Sequence, residues 1–226
     1  ELKNKNEELR KAFDELRTLD EAKSHFMILI NHELKTPLTT LLSYTELFKE
    51  SQLDDEQKLF LKRIDSSAKR LQDIIFDVLE FVSADSGLTR LEAKRQKVAP
   101  LFEKLAESFK TQAQKKKQKI QIKTASQDLV FDSSILTNVL NRLLANAIKF
   151  ADAETSIEIA QTEVDSQHDR ISIKNSGQAL NPNTIEKILK PFSLDENIMN
   201  HSKGIGMGLS ISQALLKLHG SQLNFE

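Results

Sequence analysis

At 226 residues and 25.7 kDa the chain has room for one large domain or two small ones. Its 39% hydrophobic and 29% charged residues are those of a soluble globular protein and exclude disorder, collagen and a disulfide scaffold. With no Cys it has no thiolate nucleophile and no Cys-based zinc site, and 32 basic against 33 acidic residues give no global reason to expect nucleic-acid binding. No apolar run approaches the roughly 20 residues that span a bilayer. Glu1 follows no basic-then-apolar leader, and the start reads as a cut end.

Leu2, Leu9 and Leu16 recur every seven residues, with Asn6 and Phe13 between them. This is an a/d seam in which Asn6 takes one core position and can fix the register of a paired helix. The spacing predicts a dimeric coiled coil; a solvated helix packed on its own domain is the plainer alternative. No Gly interrupts residues 1–50, and Pro37 is the only Pro there. Helical throughout, that stretch would be about 75 Å long, more than a small domain, and so must lie along a partner. Ser51 to Asp55 reads as a turn, and Asp54 and Asp55 before Glu56 and Gln57 suit a helix start. A second helix is expected to about Ala84, with Leu61, Ile64, Ala68, Leu71, Ile75, Val78 and Val82 three or four apart. Two antiparallel helices with stripes this wide cannot cover each other, whereas two copies forming a four-helix bundle would.

Asp85-Ser86-Gly87 is a break, and the texture then changes. Alternating runs at 119–122, 156–159 and 170–173 predict half-buried strands, and helical stretches fall near 98–113, 133–150 and 208–219. Residues 88–226 therefore read as a mixed α/β domain, with a last strand expected over 222–225. Lys115-Lys116-Lys117 reads as a solvated helix end, since no aromatic residue interleaves with it.

Four segments could carry chemistry. In NHELKTPL at 31–38, a histidine with an ordinary pKa near 6.5 is largely uncharged at neutral pH and able to act as a nucleophile. Glu33 follows His32 and can take its proton; Thr36, four residues on, shares its helical face; Pro37 bends the helix beside it. In NRLLANAIKF at 141–150, Asn146 and Lys149 share a face with Phe150 next in sequence. An amide oxygen is a hard ligand suited to Mg²⁺, and Lys149 can neutralise a phosphate; a polar edge on an amphipathic helix is the alternative. In KNSGQAL at 174–180, Asn175 offers an amide oxygen to an adenine amine. GIGMGL at 204–209 opens a helix with glycines on alternate positions, a weak phosphate-loop pattern that is neither a dinucleotide fingerprint nor a P-loop.

Taken in order, these segments resemble the core of a sensor histidine kinase of two-component systems. NHELKTPL is similar to the phosphoacceptor motif, Asn146 to Phe150 to the asparagine motif, Asn175 to Ala179 to the first glycine motif, Lys190-Pro191-Phe192 to the phenylalanine motif, and Gly204 to Gly208 to the second glycine motif. The resemblance implies an α + α/β chain. Its parts would be a coiled-coil signalling helix over 1–24, a dimerisation and histidine-phosphotransfer hairpin over 25–87, and a Bergerat-type ATP-binding sandwich over 88–226. It implies autophosphorylation of His32 by Mg·ATP with Glu33 as base, then transfer to an Asp of a response regulator, with Thr36 supporting dephosphorylation of that partner. Asn146 would hold Mg²⁺, Lys149 reach phosphate and Phe150 flank the nucleotide. Asn175, Gly177 and Ala179 would line the adenine, and Phe192, Gly204, Gly206 and Gly208 would form or hinge a lid. It also implies a homodimer whose present segment is cytoplasmic, with membrane anchoring of the full-length protein left open, driven by a sensor module outside this chain. Four positions depart from the family's pattern: Ala179 stands where a second Gly is usual and Lys190 where an acid is common. More consequential, Arg142 stands where a second Asn is usual, and Asn175 where an Asp is. They motivate the alternative of a non-catalytic dimeric scaffold that binds nucleotide weakly.

Overall fold

The computed structural model describes residues 5, 6, 10, 29, 33–125, 128–165, 168–177, 179–180, 182–189 and 207–226. The chain divides into two compact units, Glu1–Thr89 and Arg90–Glu226. The 1–24 seam lies almost wholly outside the described residues.

The first unit is a helical hairpin of α1 (33–49) and α2 (Asp55–Asp85). The start of α2 is fixed by a capping box: the Asp54 carboxylate accepts from the Gln57 N–H at 2.8 Å, and the Gln57 side chain accepts from the Asp54 N–H at 3.0 Å. Its end is set by Ser86, whose N–H donates to the Val82 carbonyl, and by Gly87 at φ +71°, a left-handed stop that glycine takes without a Cβ penalty. Leu38 and Leu42 of α1 pack on Ala68, Ile75 and Leu79 of α2. Beside them Asp65 pairs with Lys49 at 3.3 Å and Lys69 at 3.0 Å. The Lys69 hydrogen bond, helped by Lys49, holds the Asp65 carboxyl below its ordinary value despite some desolvation. Leu34, Leu41 and Phe48 on α1 and Phe60, Ile64 and Leu71 on α2 stay exposed in the single chain, as the stripe widths required. α1 continues unbroken across Pro37, which has no N–H to offer the Glu33 carbonyl one turn back.

The second unit is a two-layer α/β sandwich. Its sheet runs β2 (Lys119–Lys123), β4 (Ser156–Glu163) and β5 (Asp169–Lys174), with β2 parallel and β5 antiparallel to the central β4. Period-two patterning decides its faces. Ile157 and Ile159 point into the core with Ile120, Ile171 and Ile173, while Glu158, Thr162, Arg170 and Lys174 take the opposite face. Against the inner face lie α3 (Ala99–Lys115) and α4 (Ser133–Phe150), with Phe102, Leu140 and Leu144 completely buried between the layers. α5 (Pro182–Ile188) follows β5, and α6 (Gly208–Leu218) packs along α4. A small antiparallel pair, β1 (Lys94–Gln96) and β3 (Leu129–Phe131), leads into α4. The expected strand over 222–225 is absent: residues 221–226 form no ladder, and the Leu223 N–H is taken by the Gln213 side chain at 2.9 Å instead of a neighbouring strand.

Asp132 ties these pieces together. As the N-cap of α4 its carboxylate accepts from the Ser134 and Ile135 N–H groups at 2.9 and 3.1 Å, and also from the Glu92 N–H at 2.8 Å. Its own N–H donates to Nε2 of His219 at the end of α6, at 3.0 Å. Burial works to raise its pKa, but three backbone donors and the nearby His219 outweigh that, and the carboxyl sits below its ordinary value. A depressed carboxyl contributes stability above its unfolded pKa and loses it as pH falls through the folded value. Asp132→Ala is therefore expected to cost about 1–2 kcal/mol near neutral pH, with the deficit shrinking below roughly pH 4. Urea denaturation across pH checks this; a deficit that does not change down to the lowest pH at which the chain folds would contradict it.

Candidate functional site

Of the sequence-picked residues, α4 and the loop after β5 bring the largest group together. α4 turns Leu136, Leu140, Leu144, Ala147 and Ile148 inward, which leaves Asn138, Arg142, Asn146 and Lys149 as a polar row at spacings of four, four and three. Asn146 is half-buried. The Lys149 ammonium lies 5.1 Å from the centroid of the Phe150 ring, and its partial burial lowers its pKa. Phe150 itself is 55% exposed, an aromatic face open to a planar ligand. Arg142 reaches back along its own helix, Nε donating to Asn138 Oδ1 at 3.0 Å.

The loop closes on the end of this helix. Ala151 and Gly177 form an antiparallel bridge, and the Asp152 N–H donates to the Ser176 carbonyl at 2.9 Å. Gly177 is required for a reason the motif alone does not give: a Cβ there would stand 2.5 Å from the Phe150 carbonyl oxygen, too close for any side chain. Asn175 and Ala179 are exposed on either side of it.

The lysine run expected to be solvated proves structural at its centre. α3 ends in a Schellman turn: Lys117 takes φ 54°, its N–H bonds the Gln114 carbonyl, and the Gln118 N–H bonds the Ala113 carbonyl. The Lys116 ammonium donates to the Ile148 and Lys149 carbonyls at 2.9 and 2.6 Å. The buried Gln118 amide lies 3.3 Å from the Ile148 carbonyl and 3.1 Å from those of Ala151 and Asp152. These donors answer the unsatisfied carbonyls that every helix C-terminus presents. The sequence reading missed them because they approach from 30 residues or more away.

Other predicted residues lie elsewhere. Glu33 and Thr36 are exposed on α1, in the first unit. His32, Phe192, Gly204 and Gly206 lie outside the described residues. Gly208 is the first residue of α6, with nothing within 4 Å of where a Cβ would sit. Among the described residues no group of three or more His, Cys, Asp or Glu could hold a metal, and no helix is long and apolar enough to cross a membrane.

Residues 22–87 match the His Kinase A (phospho-acceptor) domain, and residues 131–226 match the histidine kinase-, DNA gyrase B- and HSP90-like ATPase family. A phosphoacceptor hairpin followed by an ATPase-type sandwich is thus the class that fold and site define. The chain is 29% identical over 229 residues to the sensor histidine kinase GacS of Pseudomonas protegens, covering 98% of this chain and 25% of that protein. It is 26% identical over 228 residues to the hybrid signal transduction histidine kinase D of Dictyostelium discoideum, covering 97% and 15%. It therefore spans a quarter or less of these two relatives. The crystal structure of full-length ShkA in complex with AMPPNP superposes with a TM-score of 0.77 at 23% identity, over 86% of this chain and 41% of that one. The Acinetobacter baumannii histidine kinase AdeS gives 0.58 at 22%, over 83% and 86%; at such identities the likeness is one of fold. The chain thus joins a phospho-acceptor domain to an ATPase-type domain, and the relatives it is similar to include sensor histidine kinases.

The two described motif glycines separate by sterics. Gly177→Ala is expected to destabilise the second unit by about 1–3 kcal/mol, because backbone must move. Gly208→Ala, with open space around it, should be neutral or stabilising by up to about 1 kcal/mol in the first turn of a helix. Thermal or urea unfolding of the two variants checks the contrast; equal effects would contradict it.

Proposed function

We propose that the chain is the catalytic core of a sensor kinase that phosphorylates its own histidine. ATP binds the second unit, His32 attacks the terminal phosphorus, the bond to the bridging oxygen of ADP breaks, and the histidine proton passes to Glu33. The phosphoryl group then moves to an Asp of a response regulator, and Thr36 assists its later hydrolysis from that Asp, in which water attacks phosphorus and inorganic phosphate leaves. Such transfer is chiefly positioning and charge neutralisation.

The observation that carries this reading is the closure of the Asn175–Gly177 loop onto the last turn of α4, beside an open Phe150 ring and a partly desolvated Lys149. This donor set suits a nucleotide: an aromatic face for the base, an amide acceptor at Asn175 for its amine, and an ammonium for phosphate. With no carboxylate cluster among the described residues, Mg²⁺ would rest on the Asn146 amide, phosphate oxygens and water, the usual preference of a cation that dehydrates reluctantly. Ala179, Phe192, Gly204, Gly206 and Gly208 complete the nucleotide's surroundings in this reading. Domain limits of 1–24, 25–87 and 88–226 go with it.

The exposed apolar stripe of the hairpin supports a homodimer with a four-helix core, since water-exposed Leu34, Leu41, Phe48, Phe60, Ile64 and Leu71 gain by mutual burial. Sedimentation should show a dimer that Ile64→Asp shifts toward monomer; an unshifted dimer would count against this interface.

Incubation with Mg²⁺ and γ-labelled ATP is expected to give an acid-labile label on the wild type and none on His32→Gln. Label that persists in His32→Gln would overturn the assignment. A wild type that stays unlabelled while folded and dimeric would favour a non-catalytic scaffold.

A further inference from the structure

The last turn of α4 is held from outside itself. Its C-cap residue, Ala151, returns only one N–H to the helix, to the Ala147 carbonyl. The next acceptors, Ile148 and Lys149, are served by Lys116, and Ile148, Ala151 and Asp152 by Gln118. The α3–β2 turn is also tied to the turn after α4 through backbone: the Glu154 N–H donates to the Lys116 carbonyl, and the Lys119 N–H to the Thr155 carbonyl, both at 3.0 Å. Glu154, at φ 63°, pairs with Lys117.

Lys149 and Phe150, whose carbonyls or neighbours are gripped, are the residues offered to ligand, and Ala151 and Asp152 are those that bind the Asn175–Gly177 loop. A cation at a helix C-terminus is also favoured by the helix dipole. Moreover, the Gln118 Oε1 is buried without a hydrogen-bond partner. Its amide is thus turned wholly toward the carbonyls, at the cost of one unsatisfied acceptor.

We propose that Lys116, backed by Gln118, is a positioning residue for nucleotide binding: it fixes the α4 C-terminal turn so that Lys149, Phe150 and the docked Asn175–Gly177 loop present one preformed surface. The proposal rests on the reading of that surface as the nucleotide site. Lys116 touches no ligand in this scheme. Its removal leaves the hydrophobic core intact but loosens the turn and, through Asp152 and Ser176, the loop.

The test uses the whole 226-residue chain with Lys116→Met, which keeps the aliphatic stem, and Lys116→Arg, which keeps the donors. In Lys116→Met, amide exchange at Asp152, whose N–H holds the Ser176 carbonyl, should quicken about tenfold or more without nucleotide, while exchange in the β4 strand stays unchanged. Binding of Mg·ATP, by calorimetry, should weaken about tenfold, and the KM for ATP in self-labelling should rise while the rate at saturating ATP holds. Lys116→Arg should restore both within about threefold. Unchanged exchange and affinity in a folded Lys116→Met overturn the proposal, as does weaker binding without quicker exchange at Asp152, which would make Lys116 a direct phosphate contact. If Lys116→Met loses its cooperative melt, Lys116→Gln takes its place with the same readouts. Failure of wild type itself to bind Mg·ATP would instead overturn the nucleotide-site reading, and the exchange data would still decide whether Lys116 orders the turn.

Discussion

A helix that stops leaves its last four carbonyls without partners, and the ATPase-type unit is organised around answering those of α4. Ala147 is served by the cap itself, Ile148 and Lys149 by the Lys116 ammonium, and Ile148, Ala151 and Asp152 by the Gln118 amide. The Phe150 carbonyl faces a glycine that no other residue could replace without moving backbone. From this follow the open Phe150 ring, the partly desolvated Lys149 above it and the docked loop after β5. The other end of the same helix shows the same economy, with one aspartate both capping α4 and holding the Glu92 backbone. Its N–H meanwhile reaches His219 on α6, so helix ends and not only the apolar core set how α4 and α6 sit together.

The hairpin unit obeys a different constraint. Its two helices bury a narrow line of small and branched residues, Leu38, Ala68 and Ile75, and leave wide apolar edges in water. The Asp65 carboxylate between Lys49 and Lys69 cross-links the helices at the surface but covers none of that apolar area. Association of this unit through those edges would draw on hydrophobic area more than on charge.

Much of the fold was legible in the sequence because it rests on periodicity and local caps. The helices read near 98–113, 133–150 and 208–219 form as Ala99–Lys115, Ser133–Phe150 and Gly208–Leu218, and the three alternating runs form the three-stranded sheet. Capping at Asp54 and the stop at Gly87 are local signals, and both were read. What could not be read depends on distant partners. Lys116 looked like one of three solvated lysines because its acceptors lie 32 and 33 residues on. β1 and β3 are three residues each, too short for a period to show. Residues 222–225 alternate like a strand, but alternation supplies no ladder partner, and a side chain of α6 takes the Leu223 N–H. Gly177 was recognised by its motif, yet its physical reason, the approach of the Phe150 carbonyl, is a tertiary one.

Titration of the labelled chain with magnesium and a non-hydrolysable ATP analogue, followed by backbone NMR, tests the α4-end site most directly. Shift changes at Asn146 to Asp152 and Asn175 to Gly177, with the outer-face residues Glu158, Thr162 and Arg170 unmoved, are the expected result. Perturbation centred on the outer sheet face, or none at the end of α4 under saturating ligand, would contradict it.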